Sequence, residues 1–105
     1  MRLHSALATL ALLALAACAS KGVKYIDAAG LSYVGALDTM SDTLTAEIAG
    51  KVYRGPIKAN QWGQAKATLT SAGSEPLYCD FQYHVLKVKG RCTNLAGAEY
   101  DMQSR

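Results

Sequence analysis

The sequence predicts a small, mainly β domain, an antiparallel meander that forms a sandwich or a barrel. Two observations carry this prediction. From Thr43 onward, short runs alternate apolar and polar residues, which is the period of a half-buried strand. Turns that contain glycine separate these runs at short intervals, as they do in all-β domains. The chain has 105 residues, which is enough for one such domain.

The first 17 residues have the pattern of an export signal. Arg2 and the amino terminus give a positive start, and an uncharged apolar run follows over residues 6–15. This run is shorter than the roughly 20 residues that a membrane-spanning helix needs. Its length and flanks are typical of a secretory signal peptide. We therefore expect a cleaved leader over 1–17, a modified cysteine and tether over 18–24, and a single β domain over 25–105.

The end of the leader, Leu15-Ala16-Ala17-Cys18, resembles the bacterial lipobox. The resemblance implies a diacylglyceryl group on the Cys18 sulfur, cleavage after Ala17, and acylation of the new amino group. Two or three acyl chains anchor a protein stably, whereas one chain binds only marginally. The alternative is an ordinary cleavable signal peptide, because Leu15-Ala16-Ala17 suits that peptidase as well. Residue 19 is Ala rather than Asp, which by the enteric sorting rule implies the outer membrane, with the domain facing the periplasm.

The predicted strands follow in chain order. Val23 to Met40 is ambiguous, and its glycines favour loop and strand over helix. The strand over 43–48 turns at Ala49-Gly50 into a returning strand over 51–54, which Gly55-Pro56 is expected to end. Further strands are predicted over 65–70, 77–84, 86–93 and 98–102.

Cys79 and Cys92 remain as an even pair once Cys18 is set aside, and they lie 13 positions apart. In an exported domain such a pair predicts a disulfide, worth about 3 kcal/mol in the chain-entropy model. Free thiols are one alternative. The other is a metal site with His84 and Asp80, although the paired ligand spacing of zinc sites is absent. If the two cysteines faced each other on paired strands, the turn would fall at 85–86, where Val and Leu are poor turn residues.

The sequence offers no set of residues for catalysis or cofactor binding. It contains no glycine-rich phosphate loop and no Cys-x-x-Cys motif, and we expect neither an enzyme nor a resident cofactor or metal. His84 and Asp80 share the polar face of one predicted strand and are interpreted as surface residues. The charge is balanced and scattered, which argues against a nucleic-acid partner. Among the aromatic residues, Trp62 and Tyr53 are the candidate contact residues, with packing in the core or at a barrel end as the alternative.

The C-terminal half resembles a recurring type of small proteobacterial lipoprotein domain. The matching residues are Leu77-x-Cys79-x-Phe81, Gly90-x-Cys92 and Gly97-x-x-Tyr100-Asp101, with a looser Gly50-x-x-Tyr53-x-Gly55 upstream. The resemblance implies a β fold and an envelope location, and it implies no activity. We expect a lipid-anchored structural or binding module whose partner is an envelope protein or glycan.

A weaker likeness suggests an alternative role. Gly50-Lys51-Val52-Tyr53, followed by Trp62, is similar to segments of the membrane-bound lysozyme inhibitors, which are small lipidated β-barrels. The likeness implies inhibition of a lysozyme-like cell-wall hydrolase. However, Ala49 stands where that family has its serine, and Gly63-Gln64 replaces the stretch that carries its lysine.

Overall fold

The computed structural model describes residues 20–84 and 87–105. Within these residues the chain forms eight strands and no helix, so the mainly β prediction is confirmed. The strands are β1 (Ser20–Asp27), β2 (Ser32–Asp38), β3 (Thr43–Ile48), β4 (Lys51–Ala59), β5 (Gln64–Leu69), β6 (Leu77–His84), β7 (Lys87–Asn94) and β8 (Glu99–Ser104).

The strands form a closed meander barrel, which decides between the sandwich and the barrel. Each strand pairs antiparallel with the next, and β8 returns to pair with β1. Successive connections must therefore lie at alternate ends of the barrel. The end where β1 begins and β8 finishes, with the turns over 39–42 and 60–63, is called the terminal end. The end with the turns over 28–31, 49–50, 70–76 and 95–98 is called the distal end.

The barrel interior is filled by every second side chain of each strand. In β5, for example, Ala65, Ala67 and Leu69 are buried while the residues between them are exposed. Small side chains of this kind leave room for large ones on other strands, as the narrow interior of a small barrel requires. The largest fully buried side chains are Tyr25, Leu37, Leu44, Leu69 and Met102.

The ambiguous stretch over 23–40, for which the sequence favours loop and strand, forms most of the β1–β2 hairpin and the start of the β2–β3 turn. Gly35 lies in the middle of β2, where a Cβ atom would overlap the carbonyl oxygen of Thr45 and come within 2.6 Å of Cε2 of Tyr25. Tyr25 is fully buried, and its phenol donates a hydrogen bond to the carbonyl oxygen of Thr45 at 3.0 Å. Gly35 therefore makes space for an aromatic ring inside the barrel and does not mark a loop.

Two predicted boundaries differ from the structure. The tether was expected to reach residue 24, but β1 begins at Ser20, and Val23 is already buried between β2 and β8. β4 was expected to end at Gly55-Pro56, but it continues to Ala59. Proline has no N–H to donate, and here it lies where β4–β5 pairing is interrupted between the Arg54–Thr70 bridge and Ile57. The strand therefore accommodates Pro56 without ending.

Candidate functional site

Cys18, the predicted lipidation site, lies outside the described residues. The chain enters β1 two residues later, at Ser20. This first strand is held from both sides, by β2 and by β8, and the N–H of Arg105 donates to the carbonyl oxygen of Gly22 at 3.0 Å. The described part of the chain therefore begins at the terminal end of the barrel.

Trp62 lies at the tip of the β4–β5 turn at the terminal end and is 76% exposed. The turn is braced from within by Asn60, whose side-chain oxygen accepts the N–H groups of Trp62 at 2.9 Å and Gln64 at 3.1 Å. On the neighbouring strand β6, the N–H of Tyr83 donates to the carbonyl oxygen of Gly63 at 2.7 Å. The indole is therefore held outward by an ordered turn.

Met40 occupies the corresponding place in the β2–β3 turn at the same end and is 84% exposed. Asp38 holds this turn, since its carboxylate accepts the N–H groups of Met40 at 3.0 Å and Ser41 at 3.4 Å. The pKa of Asp38 is lowered, first by a side-chain hydrogen bond with Ser41 and then by the Met40 amide. Sequence reasoning missed Met40, although an Asp two residues before it is the signal of such a turn.

A cluster of tyrosines surrounds Asp27 at the distal end. The phenol of Tyr33 donates to Oδ2 of Asp27 at 3.3 Å, and its ring meets Tyr100 edge to face, with 6.2 Å between centroids. The other oxygen of Asp27 accepts the N–H groups of Ala29 and Leu31, each at 2.9 Å. The cluster thus joins the start of β8 to the β1–β2 turn.

The environment of this cluster raises the pKa of two phenols. For Tyr33 the main cause is desolvation, followed by the charge of Asp27. For Tyr100 desolvation again comes first, followed by the neighbouring Tyr53 and Asp27. Both phenols therefore remain neutral donors at physiological pH. Of these residues the sequence singled out only Tyr53 as a contact residue, and it named Tyr100 only in the resemblance to small lipoprotein domains. Tyr100 reaches Asp27 because β8 pairs with β1.

The two predicted contact residues lie at opposite ends. Tyr53 is a half-buried residue in the distal half of β4, packed against the core, whereas Trp62 lies at the terminal end. The segments that carry the likeness to lysozyme inhibitors separate in the same way, because Ala49-Gly50 forms a distal turn and Gly63-Gln64 a terminal one. They do not meet in one site.

The predicted disulfide between Cys79 and Cys92 is present, and the cysteines are direct partners on β6 and β7 with 4.0 Å between their Cα atoms. Both are buried. The strands form a simple hairpin whose connection, at 85–86, falls outside the described residues. A disulfide consumes the two thiolates that the alternative metal site would need, and no group of three potential ligands occurs in the described residues.

His84 and Asp80 are both exposed on the outer face of β6. Asp80 pairs with Lys66 at 3.7 Å, and both side chains remain largely in solvent. An open depression of about 810 Å³ on this side of the barrel is lined by Asp80, Lys66 and Lys58 among others, and His84 is not part of its lining. Of these two residues the structure therefore places only Asp80 at the depression.

Charge is distributed unequally between the two ends. Basic residues dominate around the terminal end, and acidic residues dominate around the distal end. The terminal set is Lys21, Lys58, Lys87, Lys89 and Arg105, with Asp38 and Asp42, and the distal set is Asp27, Glu47, Glu75 and Glu99, with Lys51. The barrel therefore has an electrostatic polarity along its axis.

The described part of the chain contains no helical segment capable of spanning a membrane. Comparison with known protein families, with curated proteins and with solved structures found no match.

Proposed function

We propose that this chain is a lipid-anchored module of the bacterial cell envelope, which binds an envelope protein or glycan. In this proposal Cys18 carries the lipid, the outer membrane holds it, and the barrel faces the periplasm. The observation that supports it most is that β1 begins two residues after Cys18, at one end of the barrel. An acyl anchor there would hold the terminal end near the membrane and present the distal end to partners.

The distal end has the chemistry of a protein- or glycan-binding surface. It combines the phenols of Tyr33, Tyr53 and Tyr100 with exposed Leu31 and Leu95. Aromatic rings with a polar edge, surrounded by apolar side chains, are typical of interface centres. A binding role accounts for these residues, whereas catalysis would need His84 and Asp80 to share one pocket with a nucleophile, and only Asp80 lines the depression beside β6.

The anchor is tested by fractionating cells that express the C18S variant. We expect the variant to leave the membrane fraction or to keep its leader, because serine cannot accept the thioether-linked lipid. A C18S protein that still partitions with the envelope at the normal apparent mass would contradict the anchor. The C79A/C92A variant is the matched control for loss of cysteines, and it should remain in the membrane fraction.

The binding surface is tested by crosslinking in intact envelopes followed by affinity purification. We expect the L31E/L95E variant to lose the partners that the wild-type protein recovers, because both changes place charge on the exposed distal surface. T68E, which adds a carboxylate to the exposed outer face of β5 between the two ends, should retain them. Equal recovery from all three proteins would contradict a distal binding surface. Loss of lysozyme activity on titration with excess wild-type protein would replace this proposal with an inhibitory role.

A further inference from the structure

We propose that the terminal end of the barrel is a membrane-contact face, in which Trp62 and Met40 enter the headgroup region of an anionic phospholipid surface. This inference rests on the proposed lipid anchor at Cys18 and deepens it, because it assigns the barrel a fixed orientation on the membrane.

The β2–β3 and β4–β5 turns lie at the same end as Ser20, and each presents its most exposed apolar side chain at its tip. These side chains, Met40 and Trp62, are the two most exposed large hydrophobic residues of the described chain, at 84% and 76%. A lipid on Cys18 would bring the membrane to the end that carries them.

Side-chain hydrogen bonds hold both turns in place. Asn60 and Asp38 each accept two backbone N–H groups from their own turn, so both tips are ordered by the same device. Gly63 has a φ of +83°, which lets the chain bend back into β5 directly after Trp62. The side chains are therefore held away from the barrel without loss of turn structure, and membrane entry would need no unfolding.

The chemistry of the Trp62 and Met40 side chains suits a membrane surface. Tryptophan concentrates at membrane–water interfaces, because its ring is apolar while its N–H needs a polar partner. Methionine is flexible and apolar and packs well into irregular surroundings. The distal end also exposes apolar residues, such as Leu31 and Leu95, but there they lie among acidic residues, which anionic lipid would repel.

The charge at the terminal end also suits an anionic membrane surface. Lys58 and Lys87 lie at the terminal ends of β4 and β7, and both are exposed. Lys21 lies over the ring of Tyr83, with 5.5 Å from its Nζ to the centroid, which keeps another cation at this end. Of the acidic groups here, Asp38 turns its carboxylate toward the backbone of its own turn. The net positive field suits the phosphates of anionic phospholipids.

The chain provides its own reporter, because Trp62 is its single tryptophan. The mature protein would be purified from membranes and reconstituted into phosphatidylethanolamine vesicles, with or without phosphatidylglycerol, in which the acyl chains are brominated. We expect Trp62 emission to shift to shorter wavelength and to be quenched by bromine, most strongly with phosphatidylglycerol. Emission that stays at the wavelength of exposed indole and is quenched only by aqueous acrylamide would overturn the inference.

The W62F/L95W variant is the matched control, because it moves the reporter to an equally exposed position at the distal end. Its emission should resist bromine and remain open to acrylamide. Equal bromine quenching of the two proteins would overturn the orientation. A blue shift of Trp62 that depends on protein concentration in detergent without lipid would also overturn it, since that result identifies a second copy of the chain as the occupant.

Charge variants test the lipid specificity. K58E/K87E should weaken bromine quenching in phosphatidylglycerol vesicles, because each lysine at an anionic surface changes the contact equilibrium by about fivefold. K51E, at the distal end, should leave the quenching unchanged. If K51E reduces quenching as much as K58E/K87E does, the basic terminal end is not the contact.

The result separates this inference from the anchor. Mass spectrometry of the same reconstituted sample reports whether Cys18 carries lipid, independently of Trp62. A lipidated protein whose Trp62 stays in water would retain the anchor and refute the contact face. A protein that lacks lipid yet shows bromine quenching would refute the anchor and retain the contact face.

Discussion

Within the sheet, glycine allows neighbouring strands to approach closely. Gly90 on β7 is the direct partner of Phe81 on β6, and a Cβ at residue 90 would overlap the carbonyl oxygen of Asp80 and Cα and Cβ of Phe81. At Gly35 a Cβ would overlap the carbonyl oxygen of Thr45 on β3 and come within 2.6 Å of Cε2 of Tyr25. From the sequence alone, a glycine predicts a turn or a break in a strand. Only the residues on the neighbouring strand show that a glycine within a strand allows a close approach. The turn at Gly50 was predicted correctly, because the positive φ that it requires, here +78°, is a local property of glycine.

The pairing of Gly90 with Phe81 predicts the cost of a single added methyl group. We expect G90A to lower the free energy of unfolding by about 1–3 kcal/mol, as overpacking of a core does. Urea denaturation measures the change, with K89A as the control at the exposed neighbouring position. F81L should not rescue G90A, because the atoms that a Cβ at residue 90 would overlap, the carbonyl oxygen of Asp80 and Cα and Cβ of Phe81, are all present in G90A/F81L. A double variant that is more stable than the sum of the two single effects would contradict this contact.

The phenols predict a loss of stability at high pH. Burial raises the pKa of Tyr25, and desolvation with nearby Asp27 raises that of Tyr33. A raised folded pKa means that stability is complete below the ordinary tyrosine value of about 10 and is lost as the pH rises above it, when the unfolded chain ionises first. Absorbance at 295 nm should therefore show some phenols of the folded protein ionising at higher pH than in urea. Coinciding titration curves would contradict these environments.

At the scale of the strands, the alternation of apolar and polar residues predicted most of the elements. The strands near 43–48, 65–70 and 77–84 agree closely with β3, β5 and β6, because one buried face imposes a period of two on the sequence. The missed features depend on partners that are distant in the sequence. β1 contains Ser20–Lys24, whose polar composition resembles a tether, and its pairing with β2 and β8 makes it a strand.

The β6–β7 hairpin is stapled by the disulfide, and this predicts a response to reductant. Reduction should lower the free energy of unfolding by about 3 kcal/mol, the value expected for closing a loop of this size. Urea denaturation with and without dithiothreitol measures the difference. C79A/C92A should show no response to the reductant, because it has no bond to break. A wild-type protein whose unfolding midpoint is the same under both conditions would contradict a stabilising role.

At the scale of the whole molecule, the barrel separates two surfaces that the sequence interleaves. Trp62 and Tyr53 are close along the chain, yet they lie toward opposite ends, because Tyr53 is near the distal start of β4 and Trp62 is in the turn after its terminal end. The charge asymmetry was invisible for the same reason, since basic and acidic residues are scattered evenly along the sequence. The up-and-down course of the strands collects them by end, and closure of β8 onto β1 adds Tyr100 to Asp27 and Tyr33 of the β1–β2 hairpin.

The proposed location and orientation of the barrel depend most on the chemical state of Cys18. The protein would be extracted from the membranes of cells that express the full chain, digested, and analysed by mass spectrometry for its N-terminal peptide. We predict a peptide that begins at Cys18 and carries a diacylglyceryl group, with an acyl group on its amino nitrogen. A peptide that begins at Cys18 with a free thiol, or one that still contains Ala16-Ala17, would contradict a lipid anchor at the terminal end of the barrel.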